Sequence, residues 1–245
     1  MRIFDRKGDG PIDVKDRLAV ALDVPDSRLA LDLVDRLGDS CRWLKIGMEL
    51  YYSSGSSLLD ALRSRGYKIF LDLKLHDIPN TVAGGIRSVA TCGAELLTVH
   101  ASGGSAMLTA AAEAAKAPGA PRLLAVTVLT SMDAAEVNAV GVCGSPAEQV
   151  LRLARLAKGS GINGMVCSAE EVASLRAELG PEALLVVPGI RLEGGAANDQ
   201  RRVATPAEAI SRGATMLVVG RPIIGAANPA DAARAVIREI ESALA

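Results

Sequence analysis

The chain alternates short apolar runs with amphipathic stretches over most of its length. Runs of about five to seven aliphatic and β-branched residues predict strands. They lie at 18–24, 43–48, 68–74, 95–100, 123–129, 164–168, 184–190 and 216–220. Between them, apolar positions recur with helical spacing, as in SRLALDLVDRL (27–37) and PAEQVLRLARLAKGSG (146–161). Eight strands alternating with eight helical stretches predict an α/β fold, a single (β/α)8 TIM barrel.

A doubly wound open sheet has the same alternation, and periodicity alone does not separate it from a barrel. Its usual G-x-G-x-x-G fingerprint is missing, however, because Asp23-Val24-Pro25-Asp26 follows the first predicted strand. The length of 245 residues also matches the roughly 250 residues of a typical barrel. We therefore expect one barrel domain over residues 1–245. The irregular stretch 191–203, between strand 7 and its helix, is long enough for a mobile lid.

Composition and charge narrow the class of function. With 49% hydrophobic and 22% charged residues, the chain should form a globular domain. Its 27 Lys and Arg against 28 Asp and Glu give no reason to expect nucleic acid or anionic lipid as a partner. No apolar run approaches the ~20 residues of a membrane helix, and the charged N-terminus is unlike a secretory signal. A cytoplasmic location is the expectation, and the scattered cysteines and histidines predict no metal site.

Charged residues fall where three predicted strands end, which in a barrel is the catalytic face. Asp23 closes the apolar run of strand 1, either as a helix N-cap or as a ligand-binding group. Lys45 lies between two aliphatic residues of strand 2, so alternation turns it into the barrel mouth, where it needs a carboxylate partner. Asp72 and Lys74 of strand 3 share one face and can supply that partner. We therefore predict a cluster of alternating charge.

Such a cluster is either a structural ion-pair network or a reactive site. A carboxylate can press negative charge against a substrate anion, while a fixed ammonium can deliver a proton. Decarboxylation followed by protonation of the resulting carbanion needs both groups.

A second group of residues fits an anion. Gly220-Arg221 follows strand 8, where glycine lets a backbone amide approach a phosphate and arginine can grip it, although a turn with a solvated arginine has the same sequence. Strand 7 ends in Pro188-Gly189-Ile190-Arg191, and the loop beyond it offers Gln200. Thr130-Ser131 after strand 5 either hydrogen-bonds a heterocycle or forms a plain turn.

The segment DLKLHDIPNT (72–81) resembles the signature of the orotidine 5'-phosphate decarboxylase family. Further similar segments follow in family order and cover almost the whole chain: ALDV (21–24), LKIGMEL (44–50), TVHASGG (98–104), VTVLTSM (126–132), VVPGIR (186–191) and VVGRPI (218–223). The resemblance implies decarboxylation of orotidine 5'-monophosphate to UMP and CO2, the last step of de novo UMP biosynthesis. It also implies a homodimer that uses no cofactor and no metal.

The same resemblance implies a role for each matching residue. Lys74 would give a proton to C6 of the pyrimidine, within a network of Lys45, Asp72, Lys74 and Asp77, and Asp72 would lie against the departing carboxylate. Asp77 and Thr81 would reach into the neighbouring subunit's site. The remaining residues would bind substrate: Asp23 and Lys45 the ribose hydroxyls, Ser131 the pyrimidine edge, Gln200, Gly220 and Arg221 the phosphate, with Thr130, Pro188 and Arg191 lining the site.

Two other functions stay open on the sequence. The magnesium-dependent 3-keto-gulonate-6-phosphate decarboxylases and hexulose-phosphate synthases resemble the D-x-K-x-x-D segment, but they have an acidic metal ligand where this chain has Lys45, which would repel the cation. A non-catalytic phosphate-binding barrel would keep Gly220-Arg221 but would not need the inward lysine and aspartate residues.

Overall fold

The structure is a computed structural model that describes residues 13–192 and 203–245. Within these residues, parallel strands pair in sequence order and close into a barrel of eight, with β1 hydrogen-bonded to both β2 and β8. The open-sheet alternative is thereby excluded. The strands are β1 (Leu18–Ala21), β2 (Trp43–Gly47), β3 (Lys68–Leu75), β4 (Leu96–His100), β5 (Arg122–Val126), β6 (Gly164–Val166), β7 (Leu184–Val187) and β8 (Met216–Val219).

Helices lie between the strands and cover the outside of the barrel. They are α1 (Ser27–Leu37), α2 (Met48–Ser64), α3 (Pro79–Ala90), α4 (Gly104–Ala114), α5 (Ala134–Ala139), α6 (Pro146–Gly159), α7 (Val172–Leu179), α8 (Pro206–Ser211), α9 (Arg221–Ile224) and α10 (Pro229–Leu244). The sequence pattern missed α5 and α9, because helices of six and four residues are too short to show a period. No helix in the described ranges is long and apolar enough to cross a membrane.

Side chains alternate between the two faces of the barrel wall. Outward residues such as Leu44, Ile46, Ile69 and Leu71 pack with helix residues in one large apolar cluster. Inward residues form a second, smaller cluster inside the barrel: Ala19, Ala21, Trp43, Phe70, Leu96, Leu124, Leu184, Val186, Met216 and Val218. The interior is therefore filled by apolar side chains toward the N-terminal ends of the strands.

Several strands end earlier than their apolar runs predict. β1 ends at Ala21, β5 at Val126 and β7 at Val187, each three residues before its run ends. Residues beyond these ends, such as Leu22, Val128 and Ile190, remain buried although they have left the strand. The apolar run thus reports burial, which continues into the loops at the C-terminal ends of the strands.

Candidate active site

A cavity of about 240 Å³ opens at the C-terminal ends of the strands. Its inner wall is apolar and includes Ala21, Phe70, Val126 and Val218, which continue the inward rows of the barrel core. The residues predicted to bind or convert a ligand that also line the cavity are Asp23, Lys45, Asp72, Lys74, Thr130, Pro188, Arg191, Gly220 and Arg221. Such a cavity can bury a flat apolar ring while charged groups hold its substituents.

Four charged side chains form a chain of alternating sign across this cavity. The Nζ of Lys45 lies 3.0 Å from Oδ1 of Asp23 and 3.8 Å from Oδ2 of Asp72. The Nζ of Lys74 lies 3.0 Å from each oxygen of Asp72. The Lys45 side chain is only 10% exposed and that of Asp72 15%, so solvent screens the contact between these two residues weakly. The predicted cluster is therefore present, and Asp23 belongs to it.

Neighbouring residues allow Asp23 and Lys45 to take these positions. The N-cap of α1 is Asp26, whose side chain accepts a hydrogen bond from the backbone N–H of Leu29, so Asp23 does not serve as the cap. At Gly47, a Cβ would lie 3.2 Å from Nζ of Lys45, so glycine keeps space for the ammonium. Lys45 itself lies two residues beyond Trp43, on the same inward face of β2.

One buried residue of this site, Thr98, was not predicted from the sequence. Thr98 lies on β4 with no exposed surface, and its hydroxyl donates to Oδ1 of Asp72 at 2.9 Å. The Thr98 hydroxyl oxygen also accepts a hydrogen bond from the backbone N–H of Lys74 at 2.8 Å. The inward position of Thr98, two residues beyond Leu96, was a signal that could have been read from strand alternation.

Two histidines lie beside the cluster. The rings of His76 and His100 are 5.3 Å apart between centroids, and His100 ends β4 on the face that carries Thr98. Burial lowers the pKa of His100, and the positive charges of His76 and Lys74 lower it further, against a smaller opposing effect of Asp72. His100 is therefore biased toward its neutral form.

Two arginines also line the cavity, after β7 and β8. Arg191 is buried, and its guanidinium donates to the carbonyl oxygen of Ile190 at 2.8 Å. Arg221 begins α9 directly after Gly220, where a Cβ would lie 3.0 Å from Oδ2 of Asp23. Two arginines that line one cavity, with a glycine that admits close backbone approach, suit a doubly charged anion.

Other predicted residues lie apart from the cavity within this chain. Ser131 is exposed and does not line the cavity, unlike its neighbour Thr130. Asp77 and Thr81 are exposed at the start of α3, and Oδ1 of Asp77 accepts the backbone N–H of Ile78 at 2.6 Å.

Two further predictions concern the lid and a metal site. Gln200 and residues 193–202 of the predicted lid lie outside the described residues. Residues 13–192 and 203–245 contain no group of three or more His, Cys, Asp or Glu that could hold a metal ion.

Comparisons with known proteins agree with this geometry. Residues 16–236 match the model of the "Orotidine 5'-phosphate decarboxylase / HUMPS family". The chain is 53% identical over 221 residues to an orotidine 5'-phosphate decarboxylase of Anaeromyxobacter sp. (strain K), covering 90% of this chain and 96% of that protein. It is 48% identical over 229 residues to one of Nitrosococcus oceani, covering 93% and 99%.

Solved structures are similar as well. A crystal structure of orotidine 5'-phosphate decarboxylase from Lactobacillus acidophilus is 41% identical, with a TM-score of 0.81 over 91% of this chain and 98% of that chain. An uncharacterized conserved protein from Geobacillus kaustophilus is 35% identical, with a TM-score of 0.80 over 91% of this chain and 99% of that chain. The barrel fold is therefore shared with solved proteins of similar sequence.

Proposed function

The chain belongs to the orotidine 5'-phosphate decarboxylase / HUMPS family, and we infer that it is a carboxy-lyase that converts orotidine 5'-monophosphate to UMP and CO2. This reaction is the last step of de novo UMP biosynthesis. The observation that carries the inference is the alternating cluster of Lys45, Asp72 and Lys74 in a cavity that also holds Arg221. We propose that residues 1–245 act as one barrel domain.

We assign the chemical step to Asp72 and Lys74. The bond between C6 and the carboxylate breaks, its electron pair stays on C6, and CO2 leaves. The ammonium of Lys74 stabilises the developing carbanion and gives it a proton, and the neutral amine then regains a proton from water. The Asp72 carboxylate, 3.0 Å from Nζ of Lys74, fixes that ammonium and lies where the substrate carboxylate would depart.

Different residues would bind different parts of the substrate. Asp23 and Lys45 would hold the ribose hydroxyls and Ser131 the pyrimidine edge, with Thr130, Pro188 and Arg191 lining the site. Gly220, Arg221 and Gln200 would hold the phosphate. Phosphate binding far from C6 can supply free energy that lowers the barrier at the reacting ring.

We propose a homodimer in which Asp77 and Thr81 complete the partner subunit's site. Both residues are exposed at the start of α3, and Ile78 between them is 67% exposed, which is unusual for isoleucine. An apolar side chain flanked by polar groups of this kind fits an interface. The assembly would give each site a second carboxylate near Lys74.

We further propose that the enzyme is cytoplasmic and needs neither metal nor cofactor, and that it acts on a small molecule with no nucleic acid or membrane as partner. Lys45, with its ammonium 3.8 Å from Asp72, supports metal independence because it would repel a cation bound to that carboxylate. The magnesium-dependent sugar-phosphate enzymes and a non-catalytic phosphate-binding barrel are the functions that the test must distinguish.

The first test incubates purified protein with orotidine 5'-monophosphate in the presence of EDTA. It measures the loss of substrate absorbance and the release of CO2. We expect turnover that EDTA does not change and that Lys74→Ala reduces by about 10³-fold or more, since a proton donor contributes about 10²–10⁴-fold and the carbanion also loses its ammonium. Lys116→Ala, at an exposed lysine paired with Glu113, is the matched control and should turn over like wild type. Activity only on a sugar phosphate with added magnesium would contradict the assignment, as would an inert wild type.

A mixing experiment tests the composite site. Asp77→Asn and Lys74→Ala homodimers should each be nearly inactive. After exchange between equal amounts of the two variants, half of the dimers are mixed, and each mixed dimer holds one site with both native residues. We therefore expect about a quarter of wild-type activity. No recovery despite exchange would contradict a shared site.

A further inference from the structure

Thr98 joins the two reactive residues through a single hydroxyl. Its Oγ1 donates to Oδ1 of Asp72 at 2.9 Å and accepts from the backbone N–H of Lys74 at 2.8 Å. A hydroxyl has one proton to donate and lone pairs to accept, so both bonds form at once. Thr98 has no exposed surface and does not line the cavity, so it lies behind the reactive groups and does not contact substrate.

The backbone of Lys74 is held in a conformation that β-strand residues seldom adopt. Among the described residues, Lys74 is the one non-glycine residue with a positive φ, 50°. The left-handed region costs a residue with a side chain about 1–2 kcal/mol. Surrounding contacts must hold such a residue in place, and strained positions of this kind cluster at functional sites.

The pairing of β3 with β4 explains why the backbone N–H of Lys74 bonds to a side chain. The register between β3 and β4 shifts between Leu71 and Leu75, the stretch that contains both Asp72 and Lys74. The backbone N–H of Lys74 donates to the Thr98 hydroxyl within this irregular stretch. The Thr98 side chain therefore stabilises both the irregular stretch of β3 and the Asp72 carboxylate.

We propose that Thr98 is a positioning residue for the decarboxylation, an inference that rests on the proposed function. It fixes the rotation of the Asp72 carboxylate and the backbone turn at Lys74, so that the Lys74 ammonium meets the reacting carbon in one geometry. A proton donor works only within hydrogen-bonding reach of its target, and a misplacement of about 1 Å can cost about 10²-fold in rate. Thr98 acts through Asp72 and Lys74 on the chemical step, and it leaves the phosphate and ribose contacts unchanged.

The test compares three substitutions whose shapes differ little. Thr98→Val keeps the volume and removes both hydrogen bonds, whereas Thr98→Ser keeps the hydroxyl and loses a methyl group. Thr127→Val is the matched control, because Thr127 is also buried, next to the cavity wall, and its hydroxyl donates only to the backbone oxygen of Val166 at 2.9 Å. Circular dichroism and Tm report folding for each protein, and Thr98→Ala serves if the valine variant does not fold.

We expect kcat of Thr98→Val to fall by about 10–100-fold while KM and the calorimetric affinity for UMP change by less than about threefold. Thr98→Ser should recover kcat to within about threefold of wild type, and Thr127→Val should keep the wild-type kcat. Three results would overturn this inference and leave the proposed function intact. They are a wild-type kcat in a folded Thr98→Val, a kcat in Thr98→Ser as low as that of Thr98→Val, and a kcat in Thr127→Val as low as that of Thr98→Val. A wild type inert toward orotidine 5'-monophosphate would overturn the proposed function, and this inference with it.

Discussion

The floor of the barrel, at the end opposite to the cavity, contains a buried carboxylate whose removal should cost stability and not catalysis. Asp16 is 5% exposed. Its carboxylate accepts from Nε1 of Trp43 at 3.0 Å, from Nζ of Lys68 at 3.0 Å and from the guanidinium of Arg42 at 3.1 Å. Trp43 and Lys68 are the first residues of β2 and β3, so Asp16 ties two strand beginnings to the N-terminal segment.

We expect Asp16→Ala to lower the free energy of unfolding by about 2–4 kcal/mol. Removing one partner of a buried ion pair costs about 3–5 kcal/mol, but the side chains of Lys68 and Arg42 are 35% and 44% exposed and regain water. The buried indole N–H of Trp43 gains no such compensation. For a chain of 245 residues, this loss corresponds to a decrease of about 4–16 °C in Tm.

The assay pairs thermal unfolding with kcat at a temperature where every variant is folded. Asp35→Ala is the matched control, because Asp35 is exposed and its carboxylate lies 3.7 Å from Nε of Arg65, an arrangement worth about 0–1 kcal/mol. The reasoning is refuted if Asp16→Ala melts within 1–2 °C of wild type, or if its kcat falls about tenfold although it is folded.

Three further changes test separate contacts. Gly164→Ala should lower the unfolding free energy by about 1–3 kcal/mol in urea titrations, because its Cβ would lie 2.6 Å from the carbonyl oxygen of Leu123. Gly220→Ala should raise KM about tenfold with a smaller change in kcat, since its Cβ would lie 3.0 Å from Oδ2 of Asp23. Burial lowers the pKa of His100 below its usual 6.5, so the unfolded chain protonates first and stability falls as pH drops from above 6.5 through the folded pKa. His100→Gln should reduce that loss, measured as urea midpoints between about pH 7.5 and 5.

Controls for these changes come from the same chain. Gly159→Ala, at a helical position where a Cβ would meet no atom within 4 Å, should leave stability equal or slightly higher. Equal destabilisation of both glycine variants would contradict the steric argument at Gly164. An unchanged KM in Gly220→Ala would mean that Asp23 does not bind substrate or that it adjusts freely. Identical pH slopes in wild type and His100→Gln would assign the loss to other groups.

The sequence predicted the barrel and the charged cluster for the same reason. A strand turns alternate residues to opposite faces, so a lysine between aliphatic residues of β2 and a D-x-K pair on β3 must point into the barrel. The structure confirms that Lys45, Asp72 and Lys74 meet there. Strand order follows from the alternation of strands and helices, which leaves few topologies once the sheet closes.

The details that the sequence did not predict depend on contacts between distant segments. The positive φ of Lys74 arises where the β3 and β4 registers shift, and no residue pattern within β3 alone reports it. Thr98 reads as an ordinary residue of a β-strand until the opposite strand is known. The sequence offers both Thr130 and Ser131 as hydrogen-bonding groups, yet of the two only Thr130 lines the cavity. The sequence could not separate them because side chains in a loop do not alternate regularly between two faces.

The cluster of Lys45, Asp72 and Lys74 forms a charged layer above the apolar interior of the barrel. Buried ion pairs of this kind stabilise a fold weakly or not at all compared with well-packed apolar residues, so stability alone does not explain Lys45, Asp72 and Lys74. The layer persists because its charges are balanced in sign, its carboxylate is further satisfied by Thr98, and its residues open onto a cavity where solvent or substrate can reach them. In the mechanism that we propose, a substrate anion that enters this cluster would replace part of that charge balance. The ammonium of Lys74, held against Asp72 before the reaction, would then already be in place when negative charge develops on carbon.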